Sequence, residues 1–413
     1  MSNVSSINGL EKRVPRLRFP GFEGEWEEYL LSDLFSKITR KNTYGTISNV
    51  ICNSAKLGLI PQREYFDKDI ANEDNTNGYY VIEKGDFVYN PRKSNEAPYG
   101  PVSVYKYKEQ GIVSPLYLCF SPIKSIETAF FLWYFKSPVW HRYVYLAGDS
   151  GVRHDRVSMK DSIFFSMPLN IPTQTEQQKI ATFFTLLDKR IAKQRELVES
   201  LKSYKRGVLS AIFSRKIRFK DKNGNEFPKW EKHSIGYYMS SKVIKQTPTE
   251  SAPLMAFIAD IGVAFKGDRY DRSYLVKSDD KLYKRTDYND FIYSSNNLDV
   301  GSIGLNLYGS AVISDVYEIF HINNFAIPSV ICAAIRQPAV LYEVVRLRQG
   351  VMYGQYRIYA DEFLNVPIEL PCYEEQNKIA MIIEKIDFEI SIEEQLLLEL
   401  ENYKNNILGD MFI

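Results

Sequence analysis

An α+β protein is predicted, with two globular mixed α/β domains in tandem pseudo-symmetric repeat, each followed by a long helix, and the two helices pairing as an antiparallel coiled coil. Three observations predict it. The stretch from Pro168 to Ala181 returns without a gap from Pro367 to Ala380, and the offset of 199 holds onward through Asp188/Asp387, Ile191/Ile390, Leu201/Leu400, Lys205/Lys404 and Phe213/Phe412. Each copy opens a run whose apolar residues recur at alternating steps of four and three, the spacing of a coiled-coil seam. Upstream of each copy, short strand-like runs are separated by Gly, Asn and Pro.

A chain of 413 residues exceeds one core and suits two domains with connectors. The first domain spans 1–165, and its opening Phe19 to Trp26 is answered by Phe219 to Trp230 at the start of the second, 215–364. Strands are expected at 79–82, 86–89 and 102–105, then at 291–293 and 311–313, with helices around 128–135 and 329–336. A central spacer helix region covers 166–214 and a C-terminal one 365–413. In the first, Thr173 with Glu176 three residues on has the pattern of a capping box. The seam then runs Ile180, Phe184, Leu187, Ile191, Gln194, Val198, Leu201, repeated as Ile379, Ile383, Ile386, Ile390, Glu393, Leu397, Leu400. Beyond Leu201 and Leu400 the apolar stripe moves to Tyr204 and Val208, and to Tyr403 and Ile407, so a local heptad break is expected. Each helix would be about 60 Å long at about 1.5 Å per residue. If the pair is antiparallel, the Arg18-Phe19 segment should meet the end of the second helix as Arg218-Phe219 continues from the first.

Composition sets limits. A hydrophobic share of 45% with 29 Tyr and 24 Phe belongs to a folded chain. Four scattered cysteines show neither metal spacing nor a disulfide framework, and the absence of a leader or long apolar run points to the cytoplasm. No P-loop, zinc spacing, nucleophile elbow or Asn-Pro-Pro-aromatic element is present, so no catalytic residue, metal or cofactor is expected in this chain. The net charge of +1 lacks the basic surplus a sequence-independent phosphate binder usually carries, so any nucleic-acid face must segregate its charge. Loops at matched places differ in what they offer. Asn90, Arg92 and Lys93 follow one strand, and Asn296 and Asn297 follow its counterpart; Arg153, His154 and Arg156 are matched by Tyr353, Gln355 and Arg357, and Arg348 belongs to the basic cluster just before that loop. Arginine suits guanine O6/N7 and asparagine suits adenine N6/N7, so such loops could read base edges. Turn geometry and solvated surface are the competing readings.

The doubled Pro-x-x-x-Glu-Gln-x-x-Ile (Pro172, Glu176, Gln177, Ile180; Pro371, Glu375, Gln376, Ile379), closing two divergent domains, resembles the specificity subunit of type I restriction-modification enzymes. That resemblance implies sequence-specific recognition of double-stranded DNA, each domain reading one half of a bipartite asymmetric target. It implies as partners two modification (methyltransferase) subunits using S-adenosylmethionine, and restriction subunits using ATP and Mg²⁺. The spacer helices and docking surface would include Glu176, Gln177, Ile180, Phe184, Leu187, Ile191, Glu375, Gln376, Ile379, Ile383, Ile386 and Ile390. A methylation-only system, a cryptic methyltransferase or nuclease, and a protein scaffold are the alternatives the residues leave open.

Overall fold

The computed structural model describes residues 13–65, 76–148, 155–258, 261–265, 281–294, 302–352 and 355–413. The chain divides into two compact units, Met1–Arg195 with Gln395–Ile413, and Glu196–Glu394.

In the first unit, a four-stranded antiparallel sheet runs in the order Phe35–Lys37, Leu118–Pro122, Phe87–Tyr89, Val102–Val104. Alternation along the strand Phe87–Tyr89 divides its side chains. Phe87 and Tyr89 face a core shared with the helix Thr128–Lys136, whereas Val88 joins Ile51, Ile82 and Val113 of a second sheet. That second sheet, Gly58–Pro61, Val50–Ser54, Gly111–Val113, Tyr80–Ile82, has one parallel pairing, between Val50–Ser54 and Gly111–Val113. A ribbon of Glu27–Leu30 with Pro168–Ile171 leads into the first long helix.

The second unit repeats this plan. Its sheet Met239–Ser241, Tyr317–Ile322, Phe291–Ser294, Ile303–Leu305 sends Phe291 and Tyr293 toward the helix Pro328–Ile335 and Ile292 toward a second small core with Ala311 and Ile313. The ribbon Glu231–Ser234 with Pro367–Leu370 leads into the second long helix. Among the described residues, the second sheet has three strands here, Lys245–Gln246, Tyr283–Thr286 and Ala311–Ile313.

The long helices are Gln174–Phe213 (40 residues) and Tyr373–Met411 (39 residues). Each unit holds one stretch of antiparallel pairing. In the first, Phe184 stacks on Phe412 (5.9 Å between ring centres) and Lys404 donates to Asp188 at 2.9 Å. In the second, Lys205 pairs with Asp387. The seam is buried as expected at Ile180, Phe184, Ile191, Val198, Ile379, Ile383, Ile386 and Ile390, with Leu187 half-buried, and Gln194 is only 3% exposed.

The expected heptad break does not occur. Tyr204 and Tyr403 point outward, 61% and 53% exposed, and the seam continues in unbroken phase through Lys205, Val208 and Ile212, and through Lys404, Ile407 and Met411. The two lysines occupy seam positions because each long stem packs inward while its ammonium reaches the aspartate of the facing helix. The capping box also differs from expectation. The Glu176 amide contacts Thr173 Oγ1 at only 3.5 Å, and its carboxylate turns away to Arg18. Instead, Gln177 and Gln376 reach back to the carbonyls of Pro172 and Pro371, each at 2.9 Å.

The segment entering the first unit caps the second long helix as the junction caps the first. The amide of Leu17 donates to the Asp410 carbonyl at 3.0 Å, and that of Ile217 to the Ala211 carbonyl at 3.1 Å. Arg18 then grips Glu176 with two hydrogen bonds of 2.7 Å, and Arg218 grips Glu375 at 3.0 and 3.1 Å, joined there by Trp230 Nε1 at 3.2 Å.

Candidate nucleic-acid interface

The loop after the strand Phe87–Tyr89 is built before it is charged. Asn90 spends its side chain inside the unit, its amide donating to the Asn53 carbonyl at 3.1 Å and its oxygen accepting from the Arg92 amide at 3.1 Å. Gly100 makes the close approach that shapes the loop's return. Its φ is +85°, and a Cβ there would lie 2.1 Å from the Asn90 carbonyl oxygen. With that frame set, Lys93 donates its amide to the Asp155 carbonyl and Val157 donates to the Pro91 carbonyl, each at 2.9 Å, while Arg92 bridges Arg156 in antiparallel register. Two segments some sixty residues apart in sequence thus form one short ladder.

That ladder brings Arg92, Lys93 and Arg156 together. Arg92 and Lys93 are exposed; Arg156 is half-buried, with Asp155 3.8 Å from its Nε and no hydrogen-bond partner for that atom. The Arg156 charge is also felt at Tyr117, whose hydroxyl burial pushes up and Arg156 draws partly back. Arg153 and His154 lie outside the described residues.

In the second unit the matched place holds a hairpin, Gln349–Met352 with Gln355–Arg357, in which Gln349 faces Arg357. Arg357 lies over the Tyr359 ring at 5.1 Å and donates to Glu318 at 3.3 Å, and Lys284 takes the other Glu318 oxygen at 2.9 Å. Its positive charge is therefore partly offset, whereas among the described residues no carboxylate pairs with Arg92. Arg348, half-buried, precedes the hairpin and is also engaged within the chain. Asn296, Asn297 and Tyr353, and the side chain of Gln355, lie outside what is described.

The motif residues expected at a docking surface have an internal role. Glu176 and Glu375 are fully buried on Arg18 and Arg218; Gln177 and Gln376 are 9% and 2% exposed, and Gln376 Oε1 accepts from the Ile327 amide at 3.0 Å. The same holds for the seam positions Ile180, Phe184, Ile191, Ile379, Ile383, Ile386 and Ile390, whose side chains are covered by the chain itself. What the sequence reading passed over are the partners, Arg18, Arg218 and Trp230, and the pairs Asp188–Lys404 and Asp387–Lys205. Their signal was that opposite charges are retained in both copies of the repeat. Burial alone would raise the Asp188 carboxyl, but the Lys404 hydrogen bond and the Lys136 charge outweigh it and hold it below the usual carboxylate range. Among the described residues, no group of three or more His, Cys, Asp or Glu is placed to hold a metal ion, and no helix is long and apolar enough to cross a membrane.

A family model described as type I restriction modification DNA specificity domain matches residues 23–202 and 267–402. Among solved structures, a chain from a study of assembly and conformational transition in a type I restriction-modification system is similar, with a TM-score of 0.57 and 14% identity, 95% of this chain and 97% of that chain being covered. The S subunit of a type I restriction-modification system from M. genitalium is similar with a TM-score of 0.53 and 13% identity, covering 97% of this chain and 99% of that chain. No curated protein matches.

Proposed function

Because this chain belongs to the type I restriction-modification DNA specificity family, and is the non-catalytic specificity subunit of such a system, we propose that each unit reads one half of a bipartite, asymmetric target in double-stranded DNA. The recognition domains are residues 1–165 and 215–364, and the spacer regions 166–214 and 365–413. The observation that carries the reading is the ladder that brings Arg92, Lys93 and Arg156 together, where among the described residues Asp155, 3.8 Å from Arg156, is the one carboxylate paired with them. Arg92 is exposed and its backbone is fixed, as a base-reading arginine needs. In the second domain Arg348 and Arg357 take the corresponding part. Arg153, His154, Asn296, Asn297, Tyr353 and Gln355 complete the proposed contacts, and Asn90 acts through the loop it holds.

The chemistry then belongs to partners. Two modification subunits using S-adenosylmethionine, and restriction subunits using ATP and Mg²⁺, assemble on the exposed outer faces of the spacer helices, in the cytoplasm where the DNA lies. The test is Arg92→Ala and Arg156→Ala in the assembled methyltransferase. A base-reading arginine should cost about 1–3 kcal/mol and relax one position of one half-site in a methylation map, whereas a phosphate contact weakens all sequences alike and flattens the salt slope. Unchanged affinity and unchanged sites for both variants would remove the ladder from the interface.

A further inference from the structure

The two stretches of helix pairing share one apolar seam and one kind of ion pair across it. Position 188 of the first helix and its repeat partner 387 are both Asp; 205 and 404 are both Lys, so Lys404–Asp188 and Lys205–Asp387 are the same pair made twice. The seam is apolar at matched positions in both helices from Ile180/Ile379 to Ile191/Ile390. None of these features distinguishes one helix from the other. A helix with this seam and these pairs would fit a second copy of itself as well as its actual partner.

The neighbouring pair does distinguish them. Arg195 pairs with Glu401, and the repeat-related pair is Lys202 with Glu394 at 2.8 Å. Arg195 and Glu394 occupy one position of the repeat, Lys202 and Glu401 the other, so the polarity is exchanged between copies. The first helix is thus basic at both positions and the second acidic at both. Pairing the first helix with another first helix in the same register would set Arg195 against Lys202 twice; pairing two second helices would set Glu394 against Glu401 twice. We infer that this exchanged polarity is a specificity device, which makes the first long helix accept the second and reject a further copy of itself.

Energetics fit such a role. Arg195 and Glu394 are 57% and 47% exposed, so each pair adds little to stability. Discrimination depends on a difference, and every one of these contacts turns from attraction to repulsion in the wrong pairing. The inference rests on the helices and does not depend on which DNA is read.

Two charge exchanges test it in the full chain. R195E/E401K and, independently, K202E/E394K preserve both pairs within the molecule and make each helix complementary to itself. Val198, the buried seam residue near the midpoint of 195 and 202, is replaced by Cys as a reporter, since it meets its own copy only in the rejected pairing. Chains are refolded at equal high concentration under oxidising conditions, and the peptide linked from 198 to 198 is quantified by mass spectrometry apart from Cys52, Cys119, Cys332 and Cys372. We expect roughly ten-fold more linked dimer in either exchanged background at low salt, shrinking in 1 M salt where the screening length falls to about 3 Å. Equal yields in all backgrounds, or a difference indifferent to salt, overturn the inference. So does failure of the R195E/E401K chain to regain the parental melting temperature, because that exchange keeps both pairs across the helices; K202E/E394K also loses the exposed Lys202–Glu199 contact at 3.4 Å and is read by its dimer yield alone.

Discussion

Arg18 shows why a buried carboxylate needs its partner. Glu176 is fully buried, both its oxygens engaged, and Arg18 retains 14% exposure. Arg18→Ala leaves that charge uncompensated, and thermal or denaturant unfolding should report a loss of about 3 kcal/mol. Glu176→Gln in the Arg18→Ala background should recover part of it, since no buried anion remains. At this scale the sequence was legible only where chemistry is local. Glu176 three residues after Thr173 reads as a capping box because the eye follows spacing, yet its partner stands 158 residues away. The recurrence of arginine before both aromatic segments was the visible trace of that contact. The loop cations were legible as residues, but their convergence was not: nothing in the spacing of Arg92 and Arg156 announces that Gly100 and Asn90 fold one onto the other.

For the helices, the seam was readable and its last third was misread. A rule that counts apolar residues steps from Leu201 to Tyr204, because Lys205 does not look like a seam residue; the structure instead tucks the lysine inward against the opposing aspartate. Tyr204→Ala and Tyr403→Ala should therefore shift stability by no more than about 0.5 kcal/mol, as exposed sites do. Ile407→Ala, at a position 5% exposed, should cost about 2–4 kcal/mol in the same unfolding assay. A shifted seam, which holds both tyrosines along with Ile407, would instead make the tyrosine substitutions as costly as Ile407→Ala. Acid dependence follows from Asp188. Its carboxyl titrates below the unfolded value of about 4, so its stabilising contribution is complete above that pH and is lost as pH falls through the lowered value. Asp188→Asn should remove that part of the acid dependence, visible as a shallower fall of melting temperature below about pH 4.

Over the whole molecule, the repeat made the architecture legible before any element was placed, because duplication states the plan twice. What it could not supply is content: the domains differ where they would read DNA, and several of those loops lie outside the described residues. The continuous seam also sets the terms for changing the proposed gap between half-sites. An insertion in one helix alone would slide Lys205 off Asp387, and four residues would rotate the seam out of phase. Seven residues added after Leu197 and seven after Leu397 keep both phase and pairs. The assembled methyltransferase should then methylate both half-sites unchanged with a gap wider by about three base pairs, from about 1.5 Å per residue against about 3.4 Å per base pair. An unaltered gap in an active enzyme would show that the helices do not set it.

The bonds of Leu17 to Asp410 and Ile217 to Ala211 are one contact made twice across the repeat. One of the two junctions is covalent and the other is held by a hydrogen bond and by Arg16 against Asp410 at 3.2 Å, yet each sets a matched amide on a carbonyl near the end of a long helix. Joining Ile413 to Arg13 through a flexible link, and opening the backbone between Ser214 and Lys216, should yield a circularly permuted chain. In gene order its halves would be reversed, and as a folded object it would be nearly unchanged, with a melting temperature close to that of the parent. The order of reading along the polypeptide would then carry no information, and only the identity of the two halves would.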